Sequence, residues 1–148
     1  MRAALDSNII IYAEDMFVDR RRDITLKLIA EVPAGRLVVP VQAAGEALNW
    51  LIRKGKVPKA LAAQRIQGWL DKFDVQQTTS EVFAGACELV SHHDFQVWDA
   101  VIFSAAAHAE VDILLSEDMQ DGFRWRGVTV VNPFVESPSP LIQELMKA

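Results

Sequence analysis

The sequence predicts an α/β fold, in which helices cover both faces of a central, mainly parallel sheet. Short apolar runs of strand length alternate with longer stretches whose apolar residues recur at helical spacing. That alternation is typical of parallel strands joined by helical crossovers. The chain has 148 residues and is 51% hydrophobic. This size and composition suit one compact domain over residues 1–148.

The first half of the chain predicts two strands, each followed by helices. Ser7 or Asn8 is expected to cap the first helix, and Pro33-Ala34-Gly35 is expected to end the second. Three arginines, Arg20 to Arg22, stand at the start of the second helix, which is an unfavourable end for cations. They form either a solvated helix corner or a phosphate-contacting patch. Strands are predicted at residues 2–5 and 37–40, and helices at about 7–14, from Val18 to Val32, 41–53 and 58–72.

The second half continues the alternation, but it places two helices in succession before its next buried strand. The last apolar run, from Trp125 or from Gly127 to Val131, is expected to be an edge strand, which gives a sheet of four to five strands. Strands are predicted at residues 73–78, 111–115 and 125–131, and helices at 79–92, 97–109 and 141–146.

The composition limits the classes of protein to consider. The single cysteine, Cys87, rules out an intramolecular disulfide and a cysteine-based zinc site. No apolar run is long enough to cross a bilayer, and no signal peptide is recognisable, so a cytoplasmic protein without membrane contact is expected. The net charge of −5 argues against a simple nucleic-acid coat. Charge is unevenly spread, because residues 1–72 carry twelve Lys/Arg and eight Asp/Glu, whereas residues 73–148 carry three and twelve.

Acidic residues lie close to the ends of the predicted strands. Asp6 ends the first strand, Asp118 follows the strand at residues 111–115, and Glu46 lies six residues beyond the second strand. In open α/β sheets, ligands bind outside the carboxyl ends of the strands, so Asp6 and Asp118 share that edge and Glu46 can reach it. Asp99 opens the alanine-rich helix at residues 97–109. Simple alternation would put it at the opposite edge, and topology alone does not place it.

Several carboxylates at one place repel one another and resist ionising together. A divalent cation relieves that repulsion, and a set of oxygen ligands suits Mg²⁺ or Mn²⁺ better than zinc or copper. Such a site polarises a phosphoryl oxygen and lowers the pKa of bound water. The acids therefore indicate metal-assisted hydrolysis of a phosphodiester bond.

Four acidic segments resemble, in order and spacing, the motifs of PIN-domain nucleases across nearly the whole chain. The chain is most similar to the VapC toxins of bacterial type II toxin–antitoxin pairs. That resemblance implies a PIN-like, three-layer α/β/α domain and a metal-dependent endoribonuclease that cuts RNA. The four segments are Asp6-Ser7-Asn8, Glu46 in a mid-chain helix, Trp98-Asp99-Ala100, and Leu114-Leu115-Ser116-Glu117-Asp118.

The resemblance also implies roles for individual residues. Asp6 and Asp99 would be the main metal ligands, brought together despite the topological difficulty, and Asp118 would complete the set directly or through water. Glu46 would position or deprotonate the attacking water. Glu117 stands beside Asp118, and the family pattern favours Asp118 as the inward-pointing acid. Asn8 and Ser116 would hydrogen-bond to the ligands, and Asp121 is a candidate substitute for Asp118.

The family also implies protein partners. A small antitoxin would insert a segment carrying arginine into the acidic pocket, where a guanidinium could replace the charge of the metal. A homodimer is expected as well, with Trp50 and Trp69 as candidate interface anchors, although core packing suits both.

Other functions remain open at this stage. A stand-alone RNA-processing nuclease would carry the same acids, and so would a catalytically inactive binding module. A phosphotransfer or phosphatase domain is disfavoured, because Asn8 stands where such a site needs a second acid. Such a site also needs a lysine late in the chain, and the stretch between Lys72 and Lys147 contains none.

Overall fold

The computed structural model describes residues 1–15 and 19–147, and within them six strands form one sheet in the order β3-β2-β1-β4-β6-β5. The predicted helix start at Val18 lies outside the described residues. The strands are β1 (Ala3–Leu5), β2 (Leu37–Pro40), β3 (Asp74–Gln76), β4 (Ile113–Leu115), β5 (Arg124–Trp125) and β6 (Val128–Val131). The helices are α1 (Ser7–Glu14), α2 (Arg20–Glu31), α3 (Val41–Arg53), α4 (Lys59–Lys72), α5 (Ser80–His93), α6 (Val97–His108) and α7 (Leu141–Met146), with a 3₁₀ turn at Ala34–Arg36.

The predicted fold class is confirmed: the sheet is mainly parallel and helices flank it. Strand β1 pairs in parallel with β2 on one side and with β4 on the other. The chain therefore winds outward from β1 in both directions. The carboxyl end of β1 is the point at which such a sheet opens a crevice for ligands.

The number of strands differs from the predicted four to five, because the last apolar segment is a hairpin and not one edge strand. Strand β5 pairs antiparallel with β6, and β5 forms the edge of the sheet. Arg126 and Gly127 connect them with φ of 47° and 80°. Positive φ at both positions matches the tight turn that suits the twist of a two-stranded hairpin.

Helix α6 is the most deeply buried helix of the described chain. Its residues 100–106 are all buried, and most of them are small. Helix α5 packs closely against it, since a Cβ built on Gly85 would lie 2.3 Å from Oγ of Ser104. The absence of a side chain at Gly85 therefore sets the distance between the two helices. No helix in the described part of the chain is long and apolar enough to span a membrane.

Candidate active site

Asp6 lies at the carboxyl end of β1, and three donors hold its carboxylate. Oδ1 accepts a hydrogen bond from the backbone N–H of Ser7 at 2.7 Å, which makes Asp6 the N-cap of α1. Oδ2 accepts from Oγ of Ser116 at 2.6 Å and from Nδ2 of Asn8 at 3.2 Å. The prediction that Ser7 or Asn8 caps this helix is wrong, because the preceding carboxylate takes that position and frees both side chains for other contacts.

Asp99 lies in the first turn of α6, at the same edge of the sheet as Asp6 and Asp118. Its backbone N–H donates to Oε1 of the capping residue Gln96 at 3.2 Å. The other end of α6 lies beside the start of β1, where the Arg2 side chain donates to the carbonyl of Ala109 at 2.8 Å. Helix α6 therefore runs from the carboxyl edge to the amino edge. Because α5 and α6 together connect β3 to β4, α6 can begin at the carboxyl edge, contrary to simple alternation.

Glu46 projects from α3 into the same region. Its Oε1 accepts from Oγ of Ser7 at 3.0 Å, and its Oε2 accepts from Nε2 of Gln42 at 3.1 Å. Gln42 stands one helical turn before Glu46, so the two side chains share a face of α3. These two bonds fix the direction of the Glu46 carboxylate relative to the end of β1.

The residues that follow β4 divide their side chains between two directions. Two of these side chains face the site. Ser116 is fully buried and bonds to Asp6, and the Oδ2 atom of Asp118 accepts from Nδ2 of Asn8 at 3.1 Å. Asn8 thus bridges two of the predicted site carboxylates, since it donates to both Asp6 and Asp118. The chain bends at residues 117–119, and Ser116 and Asp118 face the site, whereas Glu117 between them does not.

Glu117 points away from the cluster, toward α1 and α2. Its carboxylate accepts from the Tyr12 hydroxyl and, at 2.6 Å, from Nε of Arg21. The Glu117 carboxylate raises the pKa of the Arg21 guanidinium. Burial, and then the same carboxylate, raises the pKa of the Tyr12 hydroxyl. Arg21 thus belongs to an ion pair beside the site, while Arg20 donates to the backbone carbonyl of Phe134.

Two of the clustered acids are held in a setting that disfavours their charge. Burial, and then the charges of Asp99 and Glu46, raises the pKa of Asp6 to about 7, against the opposing hydrogen bonds from Ser116 and Ser7. Burial, followed by the charges of Glu46 and Asp118, raises the pKa of Asp99 to about 6. Asp99 therefore interacts electrostatically with each of the other three predicted acids. Without a cation, ionising the cluster at neutral pH costs free energy.

A cleft of about 560 Å³ opens over the cluster. Asp6 does not line this cleft and is only 1% exposed, but the charges of two lining residues, Asp99 and Glu46, act on it. The sequence prediction did not include several polar and aromatic residues of this cleft, among them Asn49, which lies one turn after Glu46, and Trp98, which is 48% exposed. Helical spacing from Glu46 was the signal that could have identified Gln42 and Asn49. The cleft is lined by Gln42, Gly45, Glu46, Asn49, Gln96, Trp98, Asp99 and Asp118.

Asp121 does not join the cluster. Its Oδ1 accepts from the backbone N–H of Asn132 at 2.9 Å, so it ties the loop after β4 to the end of β6. Within residues 1–15 and 19–147, no three His, Cys, Asp or Glu side chains are arranged so that together they could hold a metal ion. The carboxylates are gathered around one cleft, but they do not form a preassembled cage of three protein ligands.

The sequence family model that matches this chain is that of the PIN domain, and the match covers residues 3–123. That span begins at β1 and includes all four acids. No curated protein matches the chain significantly.

Solved structures with the same fold include several toxins. VapC20 of Mycobacterium tuberculosis, a toxin that cleaves the sarcin–ricin loop, superposes with a TM-score of 0.65 at 20% identity over 76% of this chain and 86% of that chain. A toxin–antitoxin complex from Klebsiella pneumoniae superposes with a TM-score of 0.65 at 20% identity, over 89% of this chain and 98% of that chain. VapBC2 of Rickettsia felis, bound to a DNA fragment from its promoter, superposes with a TM-score of 0.64 at 16% identity, over 88% of this chain and 97% of that chain. At these identities the likeness concerns the fold.

Proposed function

Because the chain belongs to the PIN-domain family, we propose that it is a metal-dependent endoribonuclease that hydrolyses RNA phosphodiester bonds as the toxin of a toxin–antitoxin pair. The observation that carries this proposal is the convergence of four acids: Glu46, Asp99 and Asp118 line one cleft, and the buried Asp6 interacts electrostatically with two of them. The pKa values of Asp6 and Asp99 are raised there to about 7 and about 6. A protein retains such repulsion at a functional site, where a cation or substrate relieves it.

The donor set fits Mg²⁺ or Mn²⁺. It consists of carboxylate oxygens, with no sulfur and no imidazole, which is the ligand chemistry that these hard cations prefer. A carboxylate has about four lone-pair sites, and Asp6 uses three of them for Ser7, Asn8 and Ser116. One site remains for a cation. Mg²⁺ usually keeps several waters and takes few carboxylates, which suits a cleft without a three-ligand cage.

Asp6 and Asp99 would hold the cation, and Asp118 would complete its surroundings directly or through water. When bound, the cation supplies charge to the phosphoryl oxygen and acidifies bound water. Ser116 and Asn8 keep the Asp6 carboxylate in one orientation, and Asn8 ties Asp118 to it. These contacts place two acids at a fixed separation before the substrate arrives, so that little reorganisation is needed.

Glu46 is placed to act on the attacking water. Ser7 and Gln42 orient its carboxylate at the wall of the cleft. In the proposed step the water oxygen bonds to phosphorus, Glu46 takes the proton that leaves the water, and the bond from phosphorus to the leaving ribose oxygen breaks. The same proton then returns from Glu46 to the leaving oxygen. The products are one phosphate-terminated and one hydroxyl-terminated RNA fragment.

The toxin assignment includes an antitoxin partner, a homodimer and a cytoplasmic location. Solved neighbours of this fold include toxin–antitoxin complexes. An arginine of the partner would meet the negative cluster directly and would compete with the cation. Trp69 is not a free interface anchor, because it is 7% exposed and its Nε1 donates to Glu14 at 2.8 Å.

Two neighbouring variants test the site. Asp118→Asn should reduce metal-dependent cleavage of single-stranded RNA by at least about tenfold, because it removes a charge from the cleft. Asp121→Asn should retain cleavage, since an amide oxygen can still accept from Asn132. Excess chelator should stop the wild-type reaction. Full activity in chelator would overturn the metal mechanism, and equal activity of both variants would overturn the assignment of Asp118.

A further inference from the structure

A second cleft adjoins the cleft over the carboxylate cluster, and it carries the positive charge that the first cleft lacks. It has a volume of about 270 Å³. Glu46 and Asn49 line both clefts, so the two clefts adjoin along α3 and are together called the groove. Arg53 and Lys54 stand at the far end of the second cleft, and both are exposed.

The polar side chains follow one face of α3. Glu46, Asn49 and Arg53 are spaced by three and then four residues, which places them in a row along the helix. At 1.5 Å per residue, Arg53 lies about 10 Å along the axis from Glu46. That is within about three nucleotides of the reacting phosphate, even for a stacked strand that rises about 3.4 Å per nucleotide. Trp50 contributes an aromatic wall between the two positions.

The groove is polarised. Neither Arg53 nor Lys54 forms an ion pair with the residues that the structure describes. A third cleft, of about 210 Å³, lies on the other side of Asp99. Its described lining includes two acids, Asp94 and Asp99, together with His93, but no lysine or arginine. Of these two flanking clefts, only the second offers lysine or arginine to a polyanion that enters the acidic centre.

We propose that Arg53 and Lys54 bind a backbone phosphate of single-stranded RNA that lies to one side of the cleaved bond, with Trp50 against the intervening nucleotide. This inference rests on the proposed function and adds to it the path of the substrate. The four carboxylates repel a polyanion, so affinity has to come from cations outside the cluster. An aromatic surface beside a cationic groove is a common arrangement for single strands.

The test compares two charge-removing double variants. Arg53→Gln/Lys54→Gln removes the proposed phosphate contacts, whereas Arg124→Gln/Lys147→Gln removes the same charge from exposed positions on β5 and near the C-terminus. Each protein also carries Asp99→Asn, so that RNA is not cut. Fluorescence anisotropy with a labelled, mixed-sequence single-stranded RNA then gives Kd over a range of salt concentrations.

The expected result is a weaker salt dependence for the first variant alone. Each neutralised phosphate contributes about 0.7 to the slope of log K against log salt for a single strand, so loss of this one phosphate site should lower the slope by about 0.7. Arg53→Lys/Lys54→Arg keeps both charges and should keep the slope. In cleavage assays without Asp99→Asn, KM should rise while kcat stays near its wild-type value.

The outcomes separate this inference from the proposed function. If wild-type protein cuts RNA with metal and both charge-removing variants show the same slope and KM, the phosphate site is wrong and the nuclease stands. If wild-type protein neither binds nor cuts single-stranded RNA with metal, both are overturned. A kcat loss without a change in KM or slope would also contradict the phosphate site.

Discussion

Substituting Asp6 with asparagine should change how the stability of the metal-free protein depends on pH. Burial raises the pKa of Asp6 from 3.8 to about 7. The folded state therefore holds this proton more tightly than the unfolded chain does. The resulting stability is fully present below a pH of about 3.8 and is lost as the pH rises through about 7.

The magnitude follows from that difference in pKa. Between pH 5 and pH 8, ionisation of Asp6 should lower the free energy of unfolding by about 2–3 kcal/mol. Asp6→Asn removes the titration. The amide cannot accept all three hydrogen bonds made by Ser7, Asn8 and Ser116, but that loss does not depend on pH. The stability of the variant relative to wild type should therefore rise by about 2–3 kcal/mol from pH 5 to pH 8.

Urea unfolding in excess chelator at the two pH values measures this difference. Asp71→Asn, which removes an exposed acid at the end of α4, controls for the change in net charge. If wild type and Asp6→Asn lose stability in parallel between pH 5 and pH 8, Asp6 is not held ionised at a cost in the folded protein. The folded protein would then not need a cation to relieve the charge of Asp6.

Three further results are expected. Mg²⁺ should raise the thermal midpoint of wild type at pH 8 and leave that of Asp99→Asn nearly unchanged in differential scanning fluorimetry, because a cation stabilises the state that binds it; equal shifts would contradict the site. Ser116→Ala should slow RNA cleavage about tenfold, since it removes a short hydrogen bond that orients Asp6, and an unchanged rate would argue against that role. Gly85→Ala should destabilise the fold by about 1–3 kcal/mol through overpacking against Ser104, and the double variant with Ser104→Ala should recover most of the loss in thermal unfolding.

The sequence predicted the order of strands and helices because the main strands are buried and their apolar runs end at recognisable turn residues. The strand number was wrong at the hairpin between β5 and β6. Strand β5 is only Arg124–Trp125, and the turn depends on a positive φ at Arg126 as well as at Gly127. An arginine gives no signal for that conformation, since non-glycine residues rarely adopt it.

The sequence identified which acids belong to the site better than it placed them in the fold. Asp6 and Asp118 follow strands, so the carboxyl edge of the sheet brings them together whatever the details. Asp99 could not be placed without a family resemblance, because its position depends on the path of α5 before α6. Likewise, Glu117 and Asp118 are chemically alike, and only the ion pair with Arg21 shows which of them faces away.

The central claim is that the carboxylate cluster cuts RNA when it holds a divalent cation. The most direct measurement is the rate of single-stranded RNA cleavage as Mg²⁺ is added to chelator-treated protein, with wild type and Asp99→Asn in parallel. Saturating activation of wild type and no activation of a folded Asp99→Asn variant are predicted. Cleavage by wild type that does not depend on Mg²⁺ or Mn²⁺, or equal activation of the variant, would contradict the claim.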